Sequence, residues 1–108
     1  MVRVGLRGVL DADPAIEVIA EAASGEQALA ACRIHHPDVV VMDLHMPGMG
    51  GIEAIRQLMR TERPAAVLVL TMIDDDDSIV AALDAGARGY VLKGADRDEL
   101  RAAVRATY

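Results

Sequence analysis

Three polar residues stand at the ends of apolar runs. Asp43 follows Val39-Val40-Val41-Met42, Thr71 follows Ala66 to Leu70, and Lys93 follows Gly89 to Leu92. Runs this short suit strands covered on both faces, as in a parallel sheet. Beyond Asp43 the chain reads Leu44-His45-Met46-Pro47-Gly48-Met49-Gly50-Gly51. Pro47 lacks an N–H and the glycines favour turns, so the acid sits where a strand stops and a loop opens. All carboxyl ends of a parallel sheet lie on one edge, where ligands bind. An acid, a hydroxyl and an ammonium therefore converge. Each has a plain explanation alone: a turn or capping acid, a β-former, a solvated charge or salt-bridge partner. Their convergence is the informative feature. Such a trio supports acyl-phosphate formation on the carboxylate. Asp43 attacks a phosphoryl group, Lys93 neutralises the added charge and Thr71 donates a hydrogen bond to a phosphoryl oxygen. A nearby Mg²⁺ normally completes the neutralisation.

The elements that must position this trio follow from patterning. Ile16 to Ala20 reads as a strand. Ser24 offers an N-cap, with Gln27 completing a capping-box pattern, for a helix from about Gly25 to His35 that buries Ala28, Leu29 and Cys32 and stops before Pro37. Val39 to Asp43 is the next strand. Ile52, Ile55, Leu58 and Met59 mark an amphipathic helix over Gly51 to Arg60. Ala66 to Thr71 is a second buried strand. After the acidic run Asp74 to Asp77, Asp77 or Ser78 caps a helix holding Ile79, Val80 and Leu83, which Gly86 ends. Gly89 to Leu92 is a short strand, and Asp96 to Ala106 a final helix with Leu100 and Val104 four apart. Alternation of this kind implies βα repeats with right-handed crossovers. The fold expected is one α/β domain with a doubly wound parallel sheet.

Bulk properties agree. The 108 residues are 53% hydrophobic but only 2% aromatic, and 19 are alanine, which suits helices packed closely on a sheet. A net charge of −6 argues against direct nucleic-acid binding by this chain. The single Cys32 forms no internal disulfide and reads as a small buried hydrophobe. No apolar run approaches the roughly 18 residues of a membrane span, and no signal peptide is visible, so a cytoplasmic location is expected. His35 and His36 suit a helix end, where the dipole favours cations. Met42, Met46 and Met49 read as strand core and loop cover.

At the strand-end residues the chain resembles bacterial response-regulator receiver domains. Val40-Val41-Met42-Asp43-Leu44-His45-Met46-Pro47-Gly48-Met49 is similar to their phosphoacceptor motif. Leu70-Thr71-Met72 and Gly86-Ala87-Arg88-Gly89-Tyr90-Val91-Leu92-Lys93 resemble their other two motifs. The wording is closest to the NarL/FixJ type, whose members usually carry a helix-turn-helix domain after the receiver. The resemblance implies a flavodoxin-like fold and phosphate received from a sensor histidine kinase. It makes Asp43 the phosphoacceptor, Thr71 the switch hydroxyl, Lys93 the invariant-type lysine and Tyr90 the rotating aromatic, although Tyr90 equally suits half-buried packing. Asp43 and the carbonyl of His45 become Mg²⁺ ligands. The partners implied are the kinase and a second copy of the chain, with control of transcription exerted by a longer parent; no output domain is expected within these residues.

The amino terminus departs from this pattern. Receivers begin with a strand, then two adjacent acids, then a long helix. Here Met1-Val2-Arg3-Val4 is either the stub of that strand or, with Leu6, part of the helix, and Gly5 to Pro14 resembles only the helix's second half. Both alignments remove the acid pair. An incomplete first strand is therefore expected. Either the Ile16 strand pairs directly with Val39 to Met42, or a second chain fills the gap. The loss of acids weakens the metal site and makes a phosphorylation-impaired interaction module the alternative function. An aspartyl-phosphate phosphatase wants a second acid two residues past its nucleophile, where His45 stands. A flavin carrier wants a Ser/Thr-rich loop that is absent after the first strand. Beyond autophosphorylation and slow autodephosphorylation, no enzyme activity is expected.

Overall fold

The computed structural model describes residues 2–5, 16–18, 22, 24–44, 50–61, 64–72 and 75–108. Among them nine elements follow one another: β1 (Val2–Gly5), β2 (Ile16–Val18), α1 (Gly25–His35), β3 (Val39–Asp43), α2 (Gly51–Met59), β4 (Ala66–Thr71), α3 (Asp76–Ala85), β5 (Gly89–Leu92) and α4 (Arg97–Thr107). The five strands form one sheet in the order β2-β1-β3-β4-β5, and every pairing is parallel. This is the doubly wound flavodoxin-like order.

The amino terminus corrects one expectation. Of the two readings of Val2 to Gly5, the strand stub is the one seen, not the helix: β1 lies between β2 and β3 and pairs with both. Strand β2 does not reach β3 directly, and no second chain is needed to bridge them. Backbone N–H and C=O groups in a sheet need partners on both flanks, and four residues suffice to supply them. The ladder to β3 is short, with Val4 opposite Val39 and Gly5 opposite Val40. Along Val41 to Asp43 the described residues place no strand on that flank. Of the predicted Ile16 to Ala20 strand, residues 19–20 lie outside the described set.

Alternation along β3 and β4 feeds two cores. Val39, Val41, Ala66 and Leu68 face α4, where Leu100, Ala103 and Val104 cover them. Val40, Met42, Val67 and Val69 face α1, α2 and α3, meeting Leu29, Ala54, Ile55, Leu58 and Ala82. Each fully buried Val, Leu or Ile contributes about 1.5–3 kcal/mol. Met42 is strand core as expected, and Cys32 packs half-buried at the cluster's margin. Burial raises its thiol pKa.

Helix ends follow their caps. Ser24 Oγ accepts from Gln27 N–H at 3.2 Å, while His36, left-handed at φ 48°, closes α1 with its N–H on the Cys32 carbonyl before Pro37. Helix α3 departs from its expected start. It begins at Asp76 with Asp75 in the cap position, so Ser78 lies inside the first turn. Asp76 and Asp77 there suit the positive end of the helix dipole, which lets the helix start early. Ala82 is its buried contact, whereas Val80 and Leu83 are 58% and 41% exposed. Gly86 ends α3 at φ 127°. Asp96 Oδ1 caps α4 by accepting from Glu99 N–H at 2.9 Å.

Candidate functional site

Strand ends bring the polar residues to one edge. Asp43, last in β3, is level with Leu70, and Thr71 is level with Leu92. The ladder runs one step past the strands: Lys93 N–H donates to the Thr71 carbonyl at 2.9 Å. Strands β3 and β5 are separated by β4, hence by about 10 Å. Only a long side chain from one and an acid from the other can meet over the end of β4. They do. Lys93 Nζ lies 3.0 Å from Asp43 Oδ2, with the two side chains 36% and 34% exposed. An ion pair this open contributes at most about 1 kcal/mol to stability, so its placement is not explained by stability alone.

Thr71 is fully buried, and its Oγ1 has no hydrogen-bond partner. A buried hydroxyl left unpaired costs about 1–3 kcal/mol. This group ends β4 at the same edge of the sheet as the Asp43–Lys93 pair, and an acceptor there would satisfy it. Tyr90 on β5, level with Val69 on β4, is 51% exposed. Arg88, just before β5, donates from Nη1 to the Thr107 carbonyl at 3.3 Å, a tie to the end of α4. His45, Met46 and Met49 lie outside the described residues.

One contributor carried no chemical signal in the sequence. Helix α2 starts directly beneath the acid: a Cβ on Gly51 would sit 2.9 Å from the Asp43 carbonyl oxygen and 2.9 Å from Leu44 Cα. Only glycine allows that approach. Its signal was positional, a glycine at the first helical residue after a strand-end acid.

Among the described residues, the donors around Asp43 do not by themselves complete the site expected for Mg²⁺. Mg²⁺ demands octahedral oxygen ligands and is held through carboxylates. Asp43 offers one carboxylate, already paired with an ammonium. Strand β1 stops at Gly5, level with Val40, and Leu6-Arg7-Gly8-Val9-Leu10 contains no acid. Asp76 and Asp77 belong to the first turn of α3. Among the described residues no group of three or more His, Cys, Asp or Glu could hold a metal ion. A groove of about 880 Å³ opens at the opposite end of the strands, among Asp38, Leu58, Pro64, Arg88 and Tyr108, away from Asp43. No helix among the described residues is long and apolar enough to cross a membrane.

Comparison with known proteins agrees with this geometry. Residues 1–105 match the response regulator receiver domain. The response regulator UvrY of Escherichia coli is 39% identical over 108 residues, which is all of this chain and 50% of that protein. The transcriptional regulatory protein LiaR of Bacillus subtilis is 43% identical over 106 residues, 98% of this chain and 50% of that one. The chain thus spans about half the length of the curated relatives it matches. Among solved structures, the signal receiver domain of NarL from Mycobacterium tuberculosis superposes with a TM-score of 0.90 at 32% identity, covering 97% of this chain and 94% of that one. A LuxR-family response regulator from Aurantimonas sp. SI85-9A1 gives 0.82 at 37% identity, over 96% and 80%. With the sheet order, the strand-end trio and these matches in agreement, the chain belongs to the response regulator receiver domain family.

Proposed function

We propose that Asp43 is the phosphoacceptor of this receiver, with Lys93 and Thr71 as the groups that hold the phosphoryl oxygens. The observation that carries the reading is the 3.0 Å approach of Lys93 Nζ to Asp43 Oδ2 at the carboxyl edge of the sheet. Response regulators receive phosphate from histidine kinases, and a sensor kinase is the donor proposed here. An Asp43 carboxylate oxygen attacks the phosphorus of the donor phosphohistidine. The new O–P bond forms as the N–P bond breaks, and the electron pair returns to the imidazole nitrogen, which takes a proton from solvent. Lys93 then moves its ionic contact from the carboxylate to a phosphoryl oxygen. The unpartnered Thr71 hydroxyl supplies a donor to another. No step is routed through a metal, because among the described residues no three donors come together to hold one.

The signal would leave through α3 and β5. Val80 and Leu83 on α3 and Tyr90 on β5 expose apolar surface. A second copy of the chain is the partner proposed for that face, and control of transcription by a longer parent is the proposed output. Acetyl phosphate tests the acceptor directly. Intact-mass measurement should show one added phosphoryl group, absent from Asp43→Asn. No adduct, or an adduct that survives the substitution, refutes the assignment. A phosphorylation-impaired interaction module is the second reading, favoured by the lack of a metal-binding group of acids among the described residues. It requires that Asp43→Asn leave self-association unchanged by sizing.

A further inference from the structure

Lys93 is the one lysine among the 11 Lys and Arg residues of the chain; the other ten are arginine. A guanidinium stays protonated and does not act as a nucleophile, whereas a lysine amine does. Any acylation of a side-chain amine therefore falls on Lys93, at the carboxyl edge of the sheet. We propose that Lys93 is an acylation site for small acyl phosphates, and that its acylation blocks phosphoryl transfer to Asp43. The first half rests on this edge holding a phosphoryl group, as proposed above; the second rests also on Asp43 being the acceptor.

An acyl phosphate is a two-headed electrophile. Its phosphorus and its carbonyl carbon are joined through a single oxygen, so a donor seated at this edge presents both to the nucleophiles around it. Lys93 Nζ stands 3.0 Å from Asp43 Oδ2, and the two side chains are 36% and 34% exposed, open to a small molecule from solvent. The buried Thr71 hydroxyl, unpartnered at the end of β4, can donate to a phosphoryl oxygen and hold that head. Holding one head brings the other to the amine and replaces a bimolecular collision with a positioned reaction. Attack by Asp43 on phosphorus gives the phosphorylated acid. Attack by Lys93 on the carbonyl carbon gives an amide instead. In that step the ε-ammonium first loses a proton to water, and the amine then forms the new C–N bond. The C–O bond to the phosphate breaks and phosphate departs with its electron pair. The proton shed by nitrogen passes by way of Asp43 Oδ2 to the departing phosphate.

The product is neutral. The amide keeps one N–H and no charge, so the ion pair with Asp43 is lost. A phosphoryl group arriving later would bring a charge of about −2 to an edge that no longer has this cation. Arginine at the same position would supply the charge without the sensitivity to acyl donors. The lone amine thus makes one edge the target of two reactions of one donor, and the acylated product cannot support the other.

Peptide mapping by mass spectrometry after incubation with acetyl phosphate tests this on the intact chain. An acetyl group is expected on Lys93, forming about tenfold faster in the folded chain than in urea, a small part of what positioning can supply. Acetic anhydride, which has no phosphoryl head to be held, should show no such gain, and Thr71→Val should lose most of it. Lys93→Arg should carry no side-chain acetyl group. Chain acetylated at Lys93, separated by its lost charge, should take up a phosphoryl group at Asp43 on the order of tenfold more slowly, or worse. Equal acetyl phosphate rates in the folded and unfolded chain overturn the inference, even where Asp43 is labelled normally. Parent-like labelling of the acetylated chain overturns its second half. Fold-dependent acetylation with no adduct at Asp43 upholds the first half and removes the second together with the acceptor assignment.

Discussion

Gly51→Ala should weaken both the fold and the site. The added methyl would lie 2.9 Å from the Asp43 carbonyl oxygen, 2.9 Å from Leu44 Cα and 3.2 Å from Leu44 Cδ2. The first two are backbone atoms at the end of a central strand, so they cannot rotate away as a side-chain tip would. Relief requires α2 to move off β3 or the strand end to shift, a strain of about 1–3 kcal/mol. Alanine's preference over glycine within a helix returns at most about 1 kcal/mol. The net loss is about 1–2 kcal/mol, which in a chain of this length lowers Tm by roughly 4–8 °C. Gly50, one residue earlier, supplies the contrast. Nothing lies within 4 Å of its missing Cβ, and α2 has no side-chain cap. Gly50→Ser should therefore gain a few tenths of a kcal/mol, about 1 °C, by providing that cap. Urea unfolding of the two variants should shift midpoints in opposite directions with unchanged slopes. Because the displaced atoms belong to Asp43 and Leu44, Gly51→Ala should also slow acetyl phosphate labelling. A Gly51→Ala midpoint equal to or above that of the parent chain refutes the close-approach argument.

Other perturbations separate stability from function. Thr71→Val removes the unpaired buried hydroxyl and should raise stability by about 1 kcal/mol while slowing labelling; a destabilised variant would show that the hydroxyl has a partner at rest. Lys93→Met should change Tm little, since the ion pair is open to solvent and contributes at most about 1 kcal/mol. It should cost on the order of tenfold to a hundredfold in labelling rate, and parent-like labelling would show that Lys93 is not the counter-ion. Gly86→Ala should lose about 1–3 kcal/mol by thermal unfolding, because φ 127° disfavours any Cβ and Met59 Cγ and Sδ occupy its place. The Cys32 thiol, its pKa raised by burial, should react with iodoacetamide more slowly at pH 8 than in the unfolded chain. Equal rates would show that the thiol is open.

Much of this molecule was readable because its elements are bounded by residues with single physical roles. Strands β3, β4 and β5 begin and end where the apolar runs do, and α1 begins at the serine expected to cap it. The convergence of Asp43 and Lys93 followed from parallel topology alone, before any distance was known. Gly51 was not readable as part of the site. Its importance lies in an approach between α2 and the backbone after β3, and no pattern along the chain encodes that contact. The start of α3 was misplaced for a related reason. Four consecutive aspartates and a serine offer several acceptable caps, and the choice among them is made by how α3 packs on β4 and α2.

Strand β1 shows how local ambiguity is resolved by neighbours. Val2 to Gly5 is too short for either helical or strand periodicity to declare itself. Taken alone it fits the stub of a strand or the start of a helix equally. The surrounding elements are less tolerant. Strands β2 and β3 each present a flank of backbone donors and acceptors, and a sheet without a central strand would leave both rows unpaired. Pairing Val2 to Val4 with Ile16 to Val18, and Val4 and Gly5 with Val39 and Val40, serves β2 along its length and β3 at its first two residues. The need is met by backbone alone, so it constrains the number of residues in the strand and not which side chains follow it.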